Sequence, residues 1–364
     1  MRFVSRIAAV AAALPEHSYA QSDITEMLAP MLTDDPAKQI LIRRLHQGTR
    51  VATRHLVMPI DDYREPQTFT QTNGRFIEAA TDLAERATRA ALDAAGVEPR
   101  EVDLVMFTSV TGISAPSVDA LLVPRLGLRP DVKRVPMFGL GCVGGAAGIA
   151  RMHDYLRGHP DGVAVLVSVE LCSLTVQRDD DSMANIVASG LFGDGAATVV
   201  GIGARRAART GTSGLEVVDT RSALYPDSEH VLGFNPGSTG FRIVLSPGVT
   251  DVVNEHFGRD AREFLGVHGL TPADIATWVA HPGGPRVLEA FAHALDLPEG
   301  ALDRSWRSMA SVGNLSSSAV LHVLADTLDQ VSHRQGDAAL LWALGPGVSA
   351  ELVLLRWQEE AEAA

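Results

Sequence analysis

Cysteine is almost absent from this chain of 364 residues, which has only Cys142 and Cys172. Two cysteines cannot build a disulfide framework, and this places the protein in a reducing compartment, the cytoplasm. Basic residues are also in deficit, 31 Lys and Arg against 44 Asp and Glu, for a net charge of −13. That excludes general nucleic-acid binding and a polybasic membrane-binding surface. An anionic ligand would need a local basic patch. Long hydrophobic runs are missing too, and none approaches the ~18 residues of a membrane span. With 46% hydrophobic and 21% charged residues, the composition is that of a globular protein with one large or two ordinary domains. Near the N-terminus, Arg2 and Arg6 flank the start of a short Ala-rich run that Pro15 ends. A first strand followed by a helix capped at Ser22 fits this better than a secretion signal.

Several elements are readable in order. Helices are expected over 23–32 and 38–48, a loop over 58–72, and an amphipathic helix over 76–95 with Gly96 as its C-cap. Apolar strands are expected over 102–110, 162–170 and 198–202, with a small-residue link over 204–214. Arg43, Arg44, Arg50 and Arg54 cluster with His46 and His55. This is either a solvated helix face or a docking site for phosphates.

The stretch from Val135 to Gly148 reads as a strand end, a Gly-rich turn and a small-residue helix start, with Cys142 at the turn. A helix N-terminus favours negative charge, so the Cys142 thiol is expected to be acidified and presented as a nucleophile. Two other readings compete. A buried free Cys is usually inert. Gly139, Gly141 and Gly144, with Glu170 further on, imitate a dinucleotide-binding fingerprint.

The second half of the chain echoes the first. Gly96-Val97-Glu98-Pro99 matches Gly269-Leu270-Thr271-Pro272, each a helix end leading into a turn and a strand. The interval from Gly96 to Cys142 equals that from Gly269 to Asn314 within one residue. The strand at Gly162 likewise finds its counterpart at Gly336. This implies a duplicated α/β unit, residues 1–210 and 211–364, packed about a pseudo-two-fold axis. Equivalent helix starts then face each other, which brings Cys142 and Asn314 toward one site. His281, at the end of a strand and followed by Pro282-Gly283-Gly284-Pro285, sits at the sheet edge where α/β sites lie.

With Cys142, His281 and Asn314 in view, the chain resembles the type III polyketide synthases, the group of chalcone synthase within the thiolase superfamily. The likeness spans essentially the whole chain. It rests on Gly141-Cys142, Leu191-Phe192-Gly193-Asp194-Gly195, Gly240-Phe241, His281-Pro282-Gly283-Gly284, Gly313-Asn314-Leu315-Ser316 and Gly345-Pro346-Gly347. Three further stretches, 108–113, 138–142 and 170–178, resemble the bacterial alkylresorcinol and alkylpyrone synthases.

The resemblance implies a layered αβαβα thiolase-like fold, a homodimer, acyl-CoA and malonyl-CoA substrates, and no metal or redox cofactor. It implies catalytic roles for Cys142, His281 and Asn314, and gate positions for Phe192 and Phe241. Thr111, Thr175, Leu232, Ser316, Gly345, Pro346 and Gly347 fall at substrate-binding positions. Ala115 falls where larger relatives reach across the dimer interface. Arg44 matches a CoA-phosphate contact, with Arg43 or Arg50 as substitutes for a second basic position that is Gly48 here. The expected reaction acylates Cys142 from a fatty acyl-CoA, extends the chain with several malonyl units, and closes an alkylresorcinol or alkylpyrone ring. A ketoacyl synthase III-like condensing enzyme and a non-catalytic acyl-binding or interaction module are the alternatives. Starter length, number of extensions and ring closure depend on cavity shape, a property of the folded chain.

Overall fold

Val163–Leu171 is apolar along nearly its whole length, and every residue of it is buried. Such a run needs cover on both faces, the mark of a central strand in an α/β protein. Val163, Val165, Val167 and Val169 join one core with Ala80, Leu83, Ala84 and Ala87 of the helix Phe69–Ala95. On the other face, Ala164 and Leu166 join Ile149 and Met152 of the helix Gly144–Gly158 and Val320 and Leu321 of the helix Ala319–Gln330. Ala338–Gly345 repeats the pattern. Its Leu340 and Trp342 face an outer core with Phe257 and Phe291, while Ala339 and Leu341 face the shared central core.

The computed structural model describes residues 4–178, 180–330 and 333–358. Its strands are β1 Ser5–Ala13, β2 His17–Ala20, β3 Thr53–Leu56, β4 Leu104–Thr108, β5 Lys133–Met137, β6 Val163–Leu171 and β7 Asp194–Ile202. They continue with β8 Gly214–Leu224, β9 Leu232–Gly237, β10 Gly240–Leu245, β11 Ile275–Ala280, β12 Ala338–Gly345 and β13 Ser349–Gln358. Nine form one sheet in the order β11-β12-β13-β8-β1-β7-β6-β4-β5.

The order is nearly a palindrome about the β8–β1 seam. On one side β1–β7 and β7–β6 are antiparallel and β6–β4 parallel. On the other, β8–β13 and β13–β12 are antiparallel and β12–β11 parallel. The local structure repeats as well. Gly96 and Gly269 each adopt a left-handed conformation. Each leads into a short 3-10 turn with a reciprocal capping box, Pro99–Glu101 and Pro272–Asp274, and then into β4 or β11. The α/β thiolase-like fold is therefore present, with the helices 144–158 and 319–330 as its middle layer.

Some local readings need correction. The first helix is Gln21–Leu32, and its N-cap is Ala20, not Ser22. The helix expected from Phe76 begins at Phe69, because a Thr68–Gln71 capping box starts it before the apolar periodicity sets in. The expected loop 58–72 therefore holds this helix start and a 3-10 turn, Ile60–Arg64. The link 204–214 holds a short helix, Ala204–Thr210, closed by left-handed Gly211.

Candidate active site

Cys142 lies in a 3-10 turn, Gly141–Val143, between β5 and the helix Gly144–Gly158. Two close approaches dictate glycine around it. A Cβ on Gly141, which has φ +55°, would sit 2.5 Å from Pro346. One on Gly145 would sit 2.3 Å from the Ser317 carbonyl oxygen. The loop Gly345-Pro346-Gly347 thus closes over the cysteine turn, and the two central helices meet at backbone distance. This places the expected C-terminal triplet beside Cys142.

The cysteine is buried, and its thiol donates to Ser316 Oγ at 3.6 Å. Burial pushes its pKa up to about 12, helped by nearby Glu170 and opposed by hydrogen bonds from Ser316 and Asn314. The expected acidification is therefore reversed in the free protein. A helix terminus contributes only about 0.3–1 kcal/mol, whereas a rise from 9 to about 12 corresponds to ~4 kcal/mol. The regular helix also starts only at Gly144.

His281 follows β11 directly. Its backbone N–H donates to the Trp342 carbonyl at 2.9 Å. The ring is buried, and desolvation lowers its pKa to about 3. Its Nδ1 has no hydrogen-bond partner among the described residues. The turn that follows packs on the ring, with a would-be Gly283 Cβ 3.5 Å from Nε2.

Asn314 joins the parts. Its backbone N–H donates to Leu191 O at 2.9 Å, and its carbonyl accepts from Gly193 N–H at 3.0 Å, making a bridge with Phe192. Its side chain accepts from Ser316 N–H at 2.8 Å and reaches the Gly283 carbonyl at 3.5 Å through Nδ2. The Asn314 amide therefore contacts the His281 turn, Ser316 and the Cys142 thiol.

Phe192, Phe241 and Thr175 line one small cavity of about 40 Å³, together with Cys172, Ser173 and Arg54. Phe241 is buried, with its ring edge-on to Phe69 at 5.5 Å and tilted against Phe138 at 6.1 Å. Leu232 begins β9 and packs into the second-half core, while Phe234 and Ile243 of the same ribbon reach the cavity. Ala115 is exposed on the surface beside Ile113. The structure does not bring the arginines into one patch. Arg43 pairs with Glu26 at 2.7 Å. Arg50 pairs with Glu289 at 3.3 Å and lies over the Trp306 ring. Arg54 is buried, and Arg44 is exposed with no ion pair among the described residues.

Glu170 was weighed in the sequence only as a dinucleotide-binding acid. It ends up buried near Cys142, accepting from Thr111 Oγ1 at 2.8 Å, Val110 N–H at 3.1 Å, Ser109 Oγ at 3.2 Å and Ser317 Oγ. Burial raises its pKa despite these donors. Thr111 therefore meets the site through Glu170. Arg54 was read with Arg43, Arg44 and Arg50 as a solvated face or a phosphate-docking site, and it is instead buried. Among the described residues no cluster of His, Cys, Asp and Glu could hold a metal ion, and no helix is long and apolar enough to cross a membrane.

Comparison with known proteins agrees with this geometry. Residues 3–205 match the N-terminal domain, and residues 216–358 the C-terminal domain, of the chalcone and stilbene synthases. The chain is 55% identical over 351 residues to a 1,3,6,8-tetrahydroxynaphthalene synthase of Streptomyces peucetius subsp. caesius, covering 96% of this chain and 93% of that one. It is 30% identical over 359 residues to an alpha-pyrone synthesis polyketide synthase-like protein of Mycobacterium tuberculosis, covering 96% and 91%. The crystal structure of the tetrahydroxynaphthalene synthase of Streptomyces coelicolor A3(2), a bacterial type III polyketide synthase, superposes with a TM-score of 0.91. The identity there is 30%, over 97% of this chain and 99% of that one. With both halves matched in sequence and fold, the chain belongs to the chalcone and stilbene synthase family and is a type III polyketide synthase, an acyl-transferring condensing enzyme.

Proposed function

We propose that Cys142 is the acylated nucleophile, with His281 its base and Asn314 the amide that holds developing charge. The observation that carries this is Asn314, whose side chain bonds both toward Cys142 and to the His281 turn. Burial keeps both reacting groups neutral at rest, a thiol pushed up to about 12 and an imidazole lowered to about 3. His281 then takes the thiol proton as sulfur attacks the acyl-CoA thioester, and CoA leaves as its thiol on receiving that proton.

Malonyl-CoA enters next. The His281 ring N–H and Asn314 Nδ2 donate to its thioester oxygen, where negative charge gathers as CO₂ departs. The resulting enolate carbon attacks the acyl-Cys142 carbonyl, forming a C–C bond and releasing the Cys142 sulfur. Phe192 and Phe241 form an apolar wall that solvates a carboxylate poorly and neutral CO₂ well, which favours decarboxylation.

For the product, we infer a hydroxylated naphthalene assembled from malonyl units alone. A tetrahydroxynaphthalene oxygenated at alternate carbons is the pattern that two-carbon units leave when no alkyl starter is added. The 55% identity to a tetrahydroxynaphthalene synthase supports this. The second reading, a fatty acyl starter closed to an alkylpyrone or alkylresorcinol, is favoured by the alpha-pyrone-type relative and by small Ala115. Incubation with malonyl-CoA alone, and with acyl-CoAs of increasing length, separates the two by product mass. A naphthalene from malonyl-CoA alone supports the first reading. Products that retain an alkyl chain, with none from malonyl-CoA alone, overturn it.

Two further features complete the proposal. The sheet ends at β5, whose outer edge is unpaired. Val135, Phe138 and nearby Ile113 are 41%, 55% and 53% exposed there. An open strand edge with exposed apolar side chains beside it is suited to a second copy of the chain, so we take the enzyme to be a homodimer. Two unpaired thiols and CoA substrates fit a cytoplasmic enzyme. For CoA itself, Arg44 is exposed and makes no ion pair among the described residues, with Arg43 and Arg50 available if their carboxylate partners yield.

A further inference from the structure

Arg54 is fully buried, and among the described residues it makes no direct ion pair with a carboxylate, although Asp194 lies near enough to favour its charge. Its guanidinium donates to carbonyl oxygens instead. Nη1 donates to the carbonyls of Ser189 and Phe192, both at 2.8 Å. Nε donates to Gln21 Oε1 at 2.9 Å, and Gln21 Nε2 in turn donates to Gly190 O at 2.7 Å. Nη2 has no hydrogen-bond partner among the described residues, and the residue lines the cavity shared by Phe192, Phe241 and Thr175. The aliphatic stem packs on the residue before Asn314, where a would-be Gly313 Cβ would lie 3.2 Å from Arg54 Cγ and Cδ.

A buried cation is expensive, and removing its partners leaves an uncompensated charge. Burial lowers the Arg54 pKa only to about 10, so it stays charged at neutral pH. The carbonyls it binds therefore have a strong reason to stay in place. They belong to the end of the helix Met183–Leu191 and to Phe192 itself. The same segment is stitched to Asn314 through Leu191 O and Gly193 N–H.

We propose that Arg54 is a positioning residue that locks Phe192 and Asn314 into one rigid unit, fixing the aim of the Asn314 amide during malonyl decarboxylation. This rests on the role for Asn314 proposed above. Arg54 touches no reacting atom. It acts through the Phe192 carbonyl and the Gly313 contact. Cys142 hangs on a different loop and meets Asn314 only at its thiol, so its acylation depends on the lock far less than decarboxylation does.

The test uses the full-length enzyme with R54K, N314A and the double variant. Three rates are followed: CO₂ release from malonyl-CoA, acylation of Cys142 by mass, and thermal unfolding. Lysine keeps the charge and cannot bridge two carbonyls and Gln21 at once. Expected for R54K is a fall in kcat for decarboxylation of about 10- to 100-fold, the scale of a small misplacement of a catalytic group. KM should change little and the Cys142 acylation rate should hold. The double variant should fall no further than N314A alone, because both act through one amide.

An R54K enzyme with wild-type kcat overturns the inference. So does a variant in which acylation and decarboxylation drop in the same proportion, or a double variant whose losses multiply. N314A impaired beside an unaffected R54K overturns this inference alone. N314A at the wild-type rate overturns the role of Asn314 and this inference with it. If R54K does not fold, Q21M loosens the same anchor more gently, and the same pattern at smaller amplitude is required of it.

Discussion

Burial decides the charge that Cys142 and His281 bring to the reaction. With the thiol pushed up to about 12, iodoacetamide should alkylate Cys142 slowly at neutral pH, and faster as pH rises, because the thiolate is the nucleophile. With His281 lowered to about 3, its base form is complete at pH 5 and above. Single-turnover acylation of Cys142 is therefore expected to be flat from pH 5 to 8. A rise centred near the ordinary histidine value, seen by rapid quench and mass measurement, would show instead that His281 titrates in solution-like surroundings. C142A should abolish extension and leave the fold intact. N314A should slow malonyl decarboxylation by roughly 10²–10³, the effect of losing one oxyanion donor, while acylation survives better.

Among the elements, the paired central helices hold the site together through glycine. G145A would put a Cβ 2.3 Å from a carbonyl of the opposing segment. Backbone cannot yield as a flexible side chain does, so the helices must part, at a cost of about 1–3 kcal/mol. Melting temperature and activity should fall together, since the same shift moves Cys142 away from Ser316. G158A in the same helix is the control. Its Cβ would meet nothing within 4 Å, so stability should stay within about 1 kcal/mol of the parent.

The whole molecule carries two expectations. The first concerns acid stability. His46 and His322 are lowered to about 4 and His281 to about 3, each chiefly by desolvation. A depressed histidine contributes stability above its unfolded value of about 6.5, lost as pH falls toward the folded value. Asp194, raised to about 6, acts the other way, since the folded form takes up its proton first. Glu170 and Glu351, also raised by burial, act in the same direction as Asp194. His153 is lowered by burial as well, and four histidines against these carboxyls predict a net loss between pH 6.5 and 5. By pH 5 His46, His281 and His322 each cost about 2 kcal/mol. Melting temperature should drop over that window, and H322Q should make the drop shallower whatever it does to stability at pH 7. The second concerns assembly. V135E with F138E should convert the proposed homodimer to monomer by light scattering, because two copies would then bring like charges together at a strand edge. If the parent is already monomeric at micromolar concentration, the assignment of β5 as the interface is wrong.

Periodicity and punctuation in the sequence were sufficient for much of the framework. The strand Ile275–Ala280 ends directly before His281 as expected, and Gly96 caps its helix as the pattern required. The duplicated intervals pointed to a repeated unit, and the palindromic sheet order shows it. These features are local or periodic, so neighbouring residues encode them. The candidate site was legible as residue types at paired positions, Cys142 against Asn314 with His281 at a strand end. Its electrostatics were not. A helix start is visible in sequence, whereas the desolvation that raises the Cys142 thiol depends on the loop from Gly345 to Gly347 and on the Ser316–Ser317 turn, remote in sequence from Cys142. Arg54 shows the same limit. It sits among arginines of like appearance, and only the packing of three distant segments, at Gln21, Ser189–Phe192 and Gly313, buries it and hands its donors to Phe192 and Ser189. Charge state and aim are set by which remote backbone comes close, and only the folded chain has that closeness.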